Sequence, residues 1–508
     1  MTSVPIKKFK RVLVANRGEI ALRIIRTLRE MGIESVAIYS DTDRSSMHVT
    51  MADHAYCIGG NLPSESYLVI EKICEAVRIT RADAVHPGFG FLSENPDFAV
   101  AIASTGAEFI GPPPSAMVGM GNKITARETM KKHNVPVVPG AVHPLVSLAE
   151  LKGLAKEIGF PIILKAAAGG GGRGMRVVRK DEDLGDAFEA CTREATAYFG
   201  NPAVFCERYI DNPRHIEFQV LFDKHGNGVH LHERDCSIQR RHQKLLEEAP
   251  SAYLNATQRQ RMGEIAVLAG KAVGYVGAGT IEFICDSPDH FYFMEMNTRI
   301  QVEHPVTEMI TGMDLIKEMV LVAQGHPLPY EQKDVPLRGW AIEVRINAED
   351  PTQGFMPQPG VVKALRMPQG PNVRVESHLY AGYEIPAAYD SMIAKIITWG
   401  HDRPEAIARM QRALAELQVE GVPTTAKFHE ALLRHPLFVK ADIHTQMIER
   451  NWDEFAALMQ ETDDPAMHFA ALLAAVLSEA AIGKAPQTAA EDRKTWQEKS
   501  RLESAGIW

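Results

Sequence analysis

No CxxC pair occurs anywhere in the 508 residues. The six cysteines, Cys57, Cys74, Cys191, Cys206, Cys236 and Cys285, are scattered. That excludes a disulfide framework and a cysteine zinc site, and it fits a reducing, cytoplasmic compartment. No run of about 18 apolar residues is present, so no membrane-spanning helix is expected. The N-terminus, MTSVPIKKFKRVLVANRG, leads into a strand without a signal-type apolar stretch. A formal net charge of −9 disfavours nonspecific binding to nucleic acid or to an acidic membrane. Two nucleotide signatures are also missing. No GxxxxGK followed by Ser or Thr precedes a helix, and VANRGE lacks the GxGxxG of a nicotinamide dehydrogenase.

What is present is length and core. With 45% hydrophobic residues the chain can build three or four domains or subdomains. Arg11–Ala15 reads as a buried strand, Asn16-Arg17-Gly18 as a turn, and Glu19–Glu30 as a helix with Ile20, Ile24, Ile25 and Leu28 at helical spacing. Ser35–Ser40 is the next strand, followed by units at Ile70–Val77 and Ala82–Val85. This is a doubly wound α/β pattern ending near Gly111-Pro112-Pro113-Pro114. From Ser115 to Tyr330 helices alternate with strands, several joined by short turns, so part of that sheet is expected to be antiparallel. A third segment, 334–451, opens on the strand Trp340–Asn347 and closes in helices near Glu405–Leu417 and Thr425–Arg434.

Several constellations carry chemistry. Lys165 begins KAAAGGGGRG, in which Gly169, Gly170, Gly171 and Gly172 lie between two strands. Successive glycines let backbone N–H groups wrap an anion, and Lys165 and Arg173 add charge. A flexible linker is a poor alternative inside a sheet, so a mobile lid over a nucleotide is expected. Glu282 and Glu295 flank the turn Asp286-Ser-Pro-Asp-His290. A hairpin symmetric about Pro288 and Asp289 sets them opposite each other, about 4.5–5.5 Å apart at Cβ. Two such carboxylates need a cation between them, and hard oxygen donors suit Mg²⁺ or Mn²⁺. Asn297 shares the face of Glu295.

Arg299, Gln301 and Glu303 alternate just beyond. In an extended segment they share one face, able to hold a small oxyanion and offer a base, although an exposed strand edge reads the same way. Glu233 to Lys244 (ERDCSIQRRHQK) is a basic stretch, and Cys236 within it lacks the partners of a nucleophile. His86 to Asn95 (HPGFGFLSEN) is a loop at a strand's C-terminal end, where ligands bind in open α/β sheets.

Five stretches in order, VANRGEIALRIIR, HPGFGFLSEN, KAAAGGGGRGM, ERDCSIQRRHQKLLEEAPS and MEMNTRIQVEHPVTE, resemble the biotin carboxylase family of ATP-grasp ligases. The resemblance covers about Lys8 to Asn451. It implies an α/β fold with a Rossmann-like N-terminal domain (1–114) and a central ATP-grasp domain (115–333) whose glycine-loop lid spans about 138–210. A C-terminal α+β domain (334–451) follows. The Ala-rich tail, 452–508, is expected to be a packing helix, or alternatively a docking element.

The activity implied is MgATP-dependent (or MnATP-dependent) activation of bicarbonate and carboxylation of biotin. The biotin would be held on a separate carrier protein, because no Met-Lys-Met hairpin follows Asn451. A carboxyltransferase subunit in trans and a homodimer are implied as well. Lys123, Lys165 and Gly169 to Gly172 would bind ATP phosphates. Glu207, Arg208 and Ile210 would hold adenine, and His215, Gln239 and His242 would complete the nucleotide pocket. Glu282, Glu295 and Asn297 would bind the divalent ions. Lys244, Arg299, Gln301 and the Val302 backbone would bind bicarbonate, Glu303 would deprotonate it, and Arg345 would stabilise the biotin enolate.

Two positions depart from the family pattern, Phe89 in place of Tyr and Thr425 in place of Asn, both expected to lie away from the chemistry. The rivals are a carbamoyl phosphate or purine-pathway ATP-grasp ligase, and a non-catalytic ATP-binding regulatory or assembly subunit. The first is not expected to carry RRHQK and RIQVEHP together. The second should have lost one of Glu282, Glu295, Asn297, Arg299, Glu303 or Arg345, and none is missing.

Overall fold

The computed structural model describes residues 4–141, 143–145, 147–166, 175–199 and 203–461. The glycine run Gly169–Gly172 and most of the expected tail, 462–508, lie outside the described residues. Two compact units are present, 1–452 and 453–508, and all of the sites below belong to the first.

The N-terminal region follows the alternation of short apolar runs and helices. Strands β1 (Arg11–Val14), β2 (Glu34–Tyr39), β3 (His54–Cys57), β4 (Ala84–His86) and β5 (Glu108–Phe109) form a wholly parallel sheet in the order β3-β2-β1-β4-β5. Strand order reverses direction between β1 and β4, which opens a crevice at their C-terminal ends. The turn Asn16-Arg17-Gly18 and the loop after His86 meet there. The Asn16 amide donates to the carbonyls of Pro87 and Phe89, each at 2.7 Å. Gly18 has φ +65°, a left-handed conformation that lets the chain turn directly into helix α1 (Gly18–Glu30). Helix α1 buries its charged residues Glu19 and Arg23 as well as its apolar stripe. Arg23 is accordingly paired with Glu308 and Asp314.

Arg17 holds this crevice together. Its guanidinium donates to both oxygens of Asp43 (2.6 and 2.7 Å) and stacks over the Tyr389 ring at 4.0 Å. Burial pushes the Asp43 carboxyl up, but the Arg17 hydrogen bonds and charge outweigh it and hold the pKa at about 2. The folded-state value is depressed, so the contribution is complete above the unfolded value near 3.8. It is lost as pH falls towards 2. The contribution is about 2 kcal/mol. Asp43→Asn is therefore expected to flatten acid destabilisation between roughly pH 4 and pH 2, read as melting temperature against pH. Parallel curves for variant and wild type would refute it.

Strands β6 (Ile162–Ala166), β7 (Met175–Val178) and β8 (Val204–Arg208) form a separate antiparallel sheet, ordered β7-β6-β8. Alternation sorts its residues cleanly. Ile162, Leu164, Val204 and Cys206 join a core with Leu151 and Ala155 of the helix Leu148–Ile158. Lys165 and Glu207 project from the other face.

The main sheet has eight strands, all neighbouring pairs antiparallel. They are β9 (Arg214–Phe222), β10 (Gly228–Arg240), β11 (Gln243–Ala249), β12 (Gly277–Ser287), β13 (His290–Asn297), β14 (Trp340–Asn347), β15 (Val373–Ser377) and β16 (Met392–Gly400). Their order is β13-β12-β9-β10-β11-β14-β16-β15. One sheet thus runs across residue 334. Helix α2 (His304–Thr311) contributes Val306 and Ile310 to a core with Ala249, Ala341 and Ile397 of β11, β14 and β16.

Candidate active site

The β12–β13 hairpin brings Glu282 opposite Glu295, with Thr280 opposite Asn297. Two bulges interrupt the ladder, Asp286 being the extra residue on β12 and Met294 on β13. A single bulge would have displaced the pair. One on each strand cancels the offset, which is why the symmetric count from the turn holds. Asn297 lies on the same face and donates from Nδ2 to Glu282 at 2.8 Å.

Lys244, near the start of β11, is the hub. Its ammonium donates to Glu217 (2.6 Å), Glu303 (2.7 Å) and Glu282 (3.0 Å). Arg345 on β14 reaches Glu303 at 3.1 Å and Glu247 at 2.7 Å. Burial opposes ionisation of Glu303, yet Lys244, Arg345 and Arg234 outweigh it and hold the carboxyl well below the ordinary range. Burial likewise opposes the charge on Lys244, and Glu217, Glu303 and Glu282 raise its pKa well above the ordinary value. The centre is therefore a buried array of charges in which each is stabilised by opposite neighbours.

Glu282 is saturated by its surroundings. Besides Lys244 and Asn297 it accepts from Gln301 at 2.9 Å, and His215 Nε2 lies 3.0 Å from its other oxygen. The Gln239 amide meets His215 Nδ1 at 2.7 Å, leaving Nε2 to face Glu282. Burial lowers the His215 pKa, but Glu282 reverses this and the net shift is upward. Glu295 is half exposed, with Lys123 Nζ 4.0 Å away. Burial and then the facing Glu282 raise its pKa. Glu282 and Glu295 stand opposite each other as hard oxygen donors of the kind that suits Mg²⁺ or Mn²⁺, and a cation bound there would take the place of some of the protein donors that hold Glu282 in this conformation. Asn297 Oδ1 accepts from Arg299 at 3.0 Å, so its oxygen is taken in this conformation.

The segment 299–303 differs from the extended strand expected. The chain turns at Val302 and Glu303, and Pro305 in the first turn starts helix α2 immediately. Gln301 and Glu303 enter the buried cluster, whereas Arg299 pairs with Glu94 at 2.9 Å. Glu94 also accepts from the Thr298 N–H at 2.8 Å, so HPGFGFLSEN reaches the centre through its glutamate.

Around the crevice lies a cavity of about 500 Å³ lined by Asn16, Phe89, Arg299, Val302, Arg345 and Tyr389, among others. Both departures from the family pattern prove to be close to it. Phe89 lines the cavity, and the buried Thr425 hydroxyl donates to the Arg345 carbonyl at 3.0 Å. Both thus lie nearer the candidate site than their sequence positions suggest, because these contacts join residues far apart in sequence.

Other expected residues stand apart from the hub. Lys165 bonds Glu207 at 2.6 Å, and Arg127 bonds the same carboxylate. Arg208 pairs with Asp286 at 3.2 Å, and Ile210 is buried. His242 is exposed at the β10–β11 turn, where Arg241 and His242 both have positive φ, 50° and 66°. A two-residue hairpin of this hand favours Asn and Gly, so Arg-His stores strain there. Cys236 is fully buried, and burial raises its thiol well above the ordinary value, so it is no nucleophile.

Sequence inspection did not single out Arg234, Glu217, Glu247 or Lys395. Arg234 is fully buried and donates to Glu217, Gln219, Thr280, Gln301 and Thr307. Lys395 donates to the Val302 carbonyl at 2.7 Å and lies 3.1 Å from Glu19, fixing the peptide beside the hub. The signal available was alternation of charge on interior strands, which reads as surface until the covering helix is known.

An antiparallel sheet presenting paired acidic residues, beside a small lysine-bearing β-sheet and a Rossmann-like unit, defines an ATP-dependent ligase of the ATP-grasp class. Residues 122–331 match the family described as carbamoyl-phosphate synthase L chain, ATP binding domain, while 8–117 and 343–450 match the N- and C-terminal domains of biotin carboxylase. The chain belongs to the biotin carboxylase family. It is 55% identical to Biotin carboxylase 1 of Bacillus subtilis over 87% of this chain and 98% of that one. It is 51% identical to a pyruvate carboxylase subunit of Methanothermobacter thermautotrophicus over 87% and 90% respectively. Among solved structures, a nucleotide complex of Campylobacter jejuni biotin carboxylase superposes with a TM-score of 0.80 at 49% identity, covering 87% of this chain and 99% of that one. No described helix is long and apolar enough to cross a membrane.

Proposed function

We propose that this chain catalyses the biotin carboxylase half-reaction, ATP-dependent activation of bicarbonate followed by N-carboxylation of biotin on a carrier protein. The observation that carries the reading is Glu303, an ionised buried carboxylate held between Lys244 and Arg345.

In the resting enzyme those two cations make Glu303 a weak base. Bicarbonate entering among Lys244, Arg299, Gln301 and the Val302 N–H takes over part of their charge. Glu303 then becomes basic enough to remove the bicarbonate proton. The bicarbonate oxygen attacks the ATP γ-phosphorus in line, the bond to the β-phosphate oxygen breaks, and ADP leaves. Lys244, Lys123 and Lys165 neutralise charge on the phosphoryl oxygens. Glu282, Glu295 and Asn297 would hold a divalent ion, which would supply further neutralisation of the phosphates. Carboxyphosphate breaks down to CO₂ and phosphate, and phosphate takes the ureido N–H proton. Arg345, anchored by Glu247, turns from Glu303 towards the enolate oxygen, and its guanidinium cannot be lost as a proton.

Glu207, Arg208 and Ile210 hold adenine in this reading, with His215, Gln239 and His242 completing the pocket. The carrier and a carboxyltransferase act in trans. Relatives covered for at least nine-tenths of their length, named as a biotin carboxylase and a pyruvate carboxylase subunit, support this. A homodimer fits the similarity to a dimeric 2-oxoglutarate carboxylase domain. Six scattered cysteines, five of them buried, support a reducing cytoplasmic setting.

The test is ADP release with Mg²⁺, bicarbonate and free biotin. Wild type should be stimulated by biotin. Arg345→Ala should lose that stimulation while keeping biotin-independent ATP cleavage. Absence of biotin stimulation in wild type would overturn the function. Glu282→Gln and Glu295→Gln should each raise the Mg²⁺ concentration needed for half-maximal rate by about tenfold or more. An unchanged Mg²⁺ titration removes that residue as a ligand.

A further inference from the structure

Glu343 is fully buried, and neither of its oxygens has a hydrogen-bond partner among the described residues. An orphaned carboxyl in the interior calls for an explanation. Strand register supplies its surroundings. Glu343 on β14 stands opposite Glu247 on β11 and Ile397 on β16. Arg345, two residues on, shares its face and stands opposite Lys395. Helix α2 covers this face with Glu303 at its N-terminal end. The charged groups facing Glu343 are therefore Glu247, Arg345, Lys395 and Glu303.

These cations are committed elsewhere. Arg345 is spent on Glu247 and Glu303, and Lys395 on the Val302 carbonyl and Glu19. Arg234 and Lys244 serve Glu217, Glu282 and Glu303. Among the described residues no hydrogen-bond donor remains for Glu343. Glu247 has the complementary lack, since Oε1 holds Arg345 and Oε2 has no hydrogen-bond partner among the described residues. Opposed side chains on adjacent strands have Cβ atoms about 4.5–5.5 Å apart, within reach of a shared proton. Burial raises both carboxyls. Glu247 reaches about 7 despite Arg345, and Glu343 rises well above the ordinary range despite Lys395.

We propose that Glu343 carries a proton in the working enzyme and donates it as a hydrogen bond to Glu247 Oε2, making Glu343 a positioning residue for Arg345. The inference rests on the proposed carboxylase reading for its catalytic consequence. Glu247 Oε1 meets both Nε and Nη2 of Arg345, and Nη2 is the nitrogen that also reaches Glu303, so Glu247 must keep its hold while the guanidinium leaves Glu303 for biotin. A carboxylate fixed at only one oxygen can rotate and carry Arg345 with it. A neutral donor at the other oxygen locks the plane without adding a competing negative charge.

Two measurements test it. The infrared difference spectrum of wild type minus Glu343→Gln at neutral pH should contain a protonated carboxyl C=O band; its absence overturns the proposal. In the ADP-release assay Glu343→Gln, which keeps a donor, should retain biotin-dependent kcat within about twofold. Glu343→Met, similar in volume and without a donor, should lose about tenfold or more in biotin-dependent kcat, with KM for ATP unchanged. Equal loss in both variants, loss in neither, or a rise in ATP KM matching the fall in kcat overturns the positioning role. The infrared arm needs no turnover, so a failure of the carboxylase reading, seen as no biotin stimulation in wild type, is distinguishable from a failure of this one.

Discussion

Glu303→Gln is expected to lower bicarbonate-dependent ATP cleavage by roughly 10²- to 10⁴-fold, the range for removing a positioned general base. The substitution preserves shape and leaves the hub otherwise paired. Lys244 keeps Glu217 and Glu282, and Arg345 keeps Glu247. The fold should therefore survive, with the melting temperature close to that of wild type. The loss should fall on kcat, since Lys123, Lys165 and Glu207 are untouched and ATP affinity does not depend on Glu303. Steady-state ADP release at saturating ATP and bicarbonate reads the effect. A variant retaining more than about a tenth of wild-type kcat would show that Glu303 is not the base and that bicarbonate is activated by the cations alone.

The largest effect on stability is expected at Arg234. This fully buried guanidinium donates to a carboxylate, two amide oxygens and two hydroxyls supplied by β9, β12 and the segment 301–307. Arg234→Leu removes the donor at Glu217 Oε1, leaving Lys244 and the more distant His215 at Oε2, and strands the other acceptors in the interior. Breaking a buried ion pair from one side destabilises by about 3–5 kcal/mol. Burial alone opposes the Arg234 charge, but Glu217 and Glu303 raise its pKa above the ordinary value, so no pH within the folded range neutralises it. Arg234→Lys should fall between the two, because an ammonium can satisfy Glu217 but not the planar fork of acceptors. Thermal melting of the three proteins tests the order wild type, Lys, Leu. A Leu variant as stable as wild type would mean that the network sets geometry without supporting the fold.

Legibility from sequence followed contact range. The parallel N-terminal unit was readable because each strand and helix is coded by its own apolar period. The Glu282–Glu295 pair was readable because a hairpin fixes register over fewer than ten residues on each side of its turn, and the two bulges happen to cancel. Family motifs carried the rest of the named site, since they join pieces that local pattern cannot. Alternation implies a shared face for Arg299, Gln301 and Glu303 only in extended backbone. Pro305 begins a helix that ends the extension.

By itself, then, the sequence determined the fold class, the order of its parts, the hairpin register and the residue types available for phosphate, metal and bicarbonate. Only the tertiary structure decided which charges are buried and what each one faces. Lys395 meets Val302 across 93 residues, Arg345 meets Glu247 across 98, and Arg299 meets Glu94 across 205. The physical reason is that a polar residue on an alternating strand carries the same local signature whether its face meets water or a covering helix. Burial by α2 converts a row of glutamates, lysines and arginines from a solvated surface into a fixed charge array, and within it neither Glu343 oxygen meets a hydrogen-bond donor among the described residues.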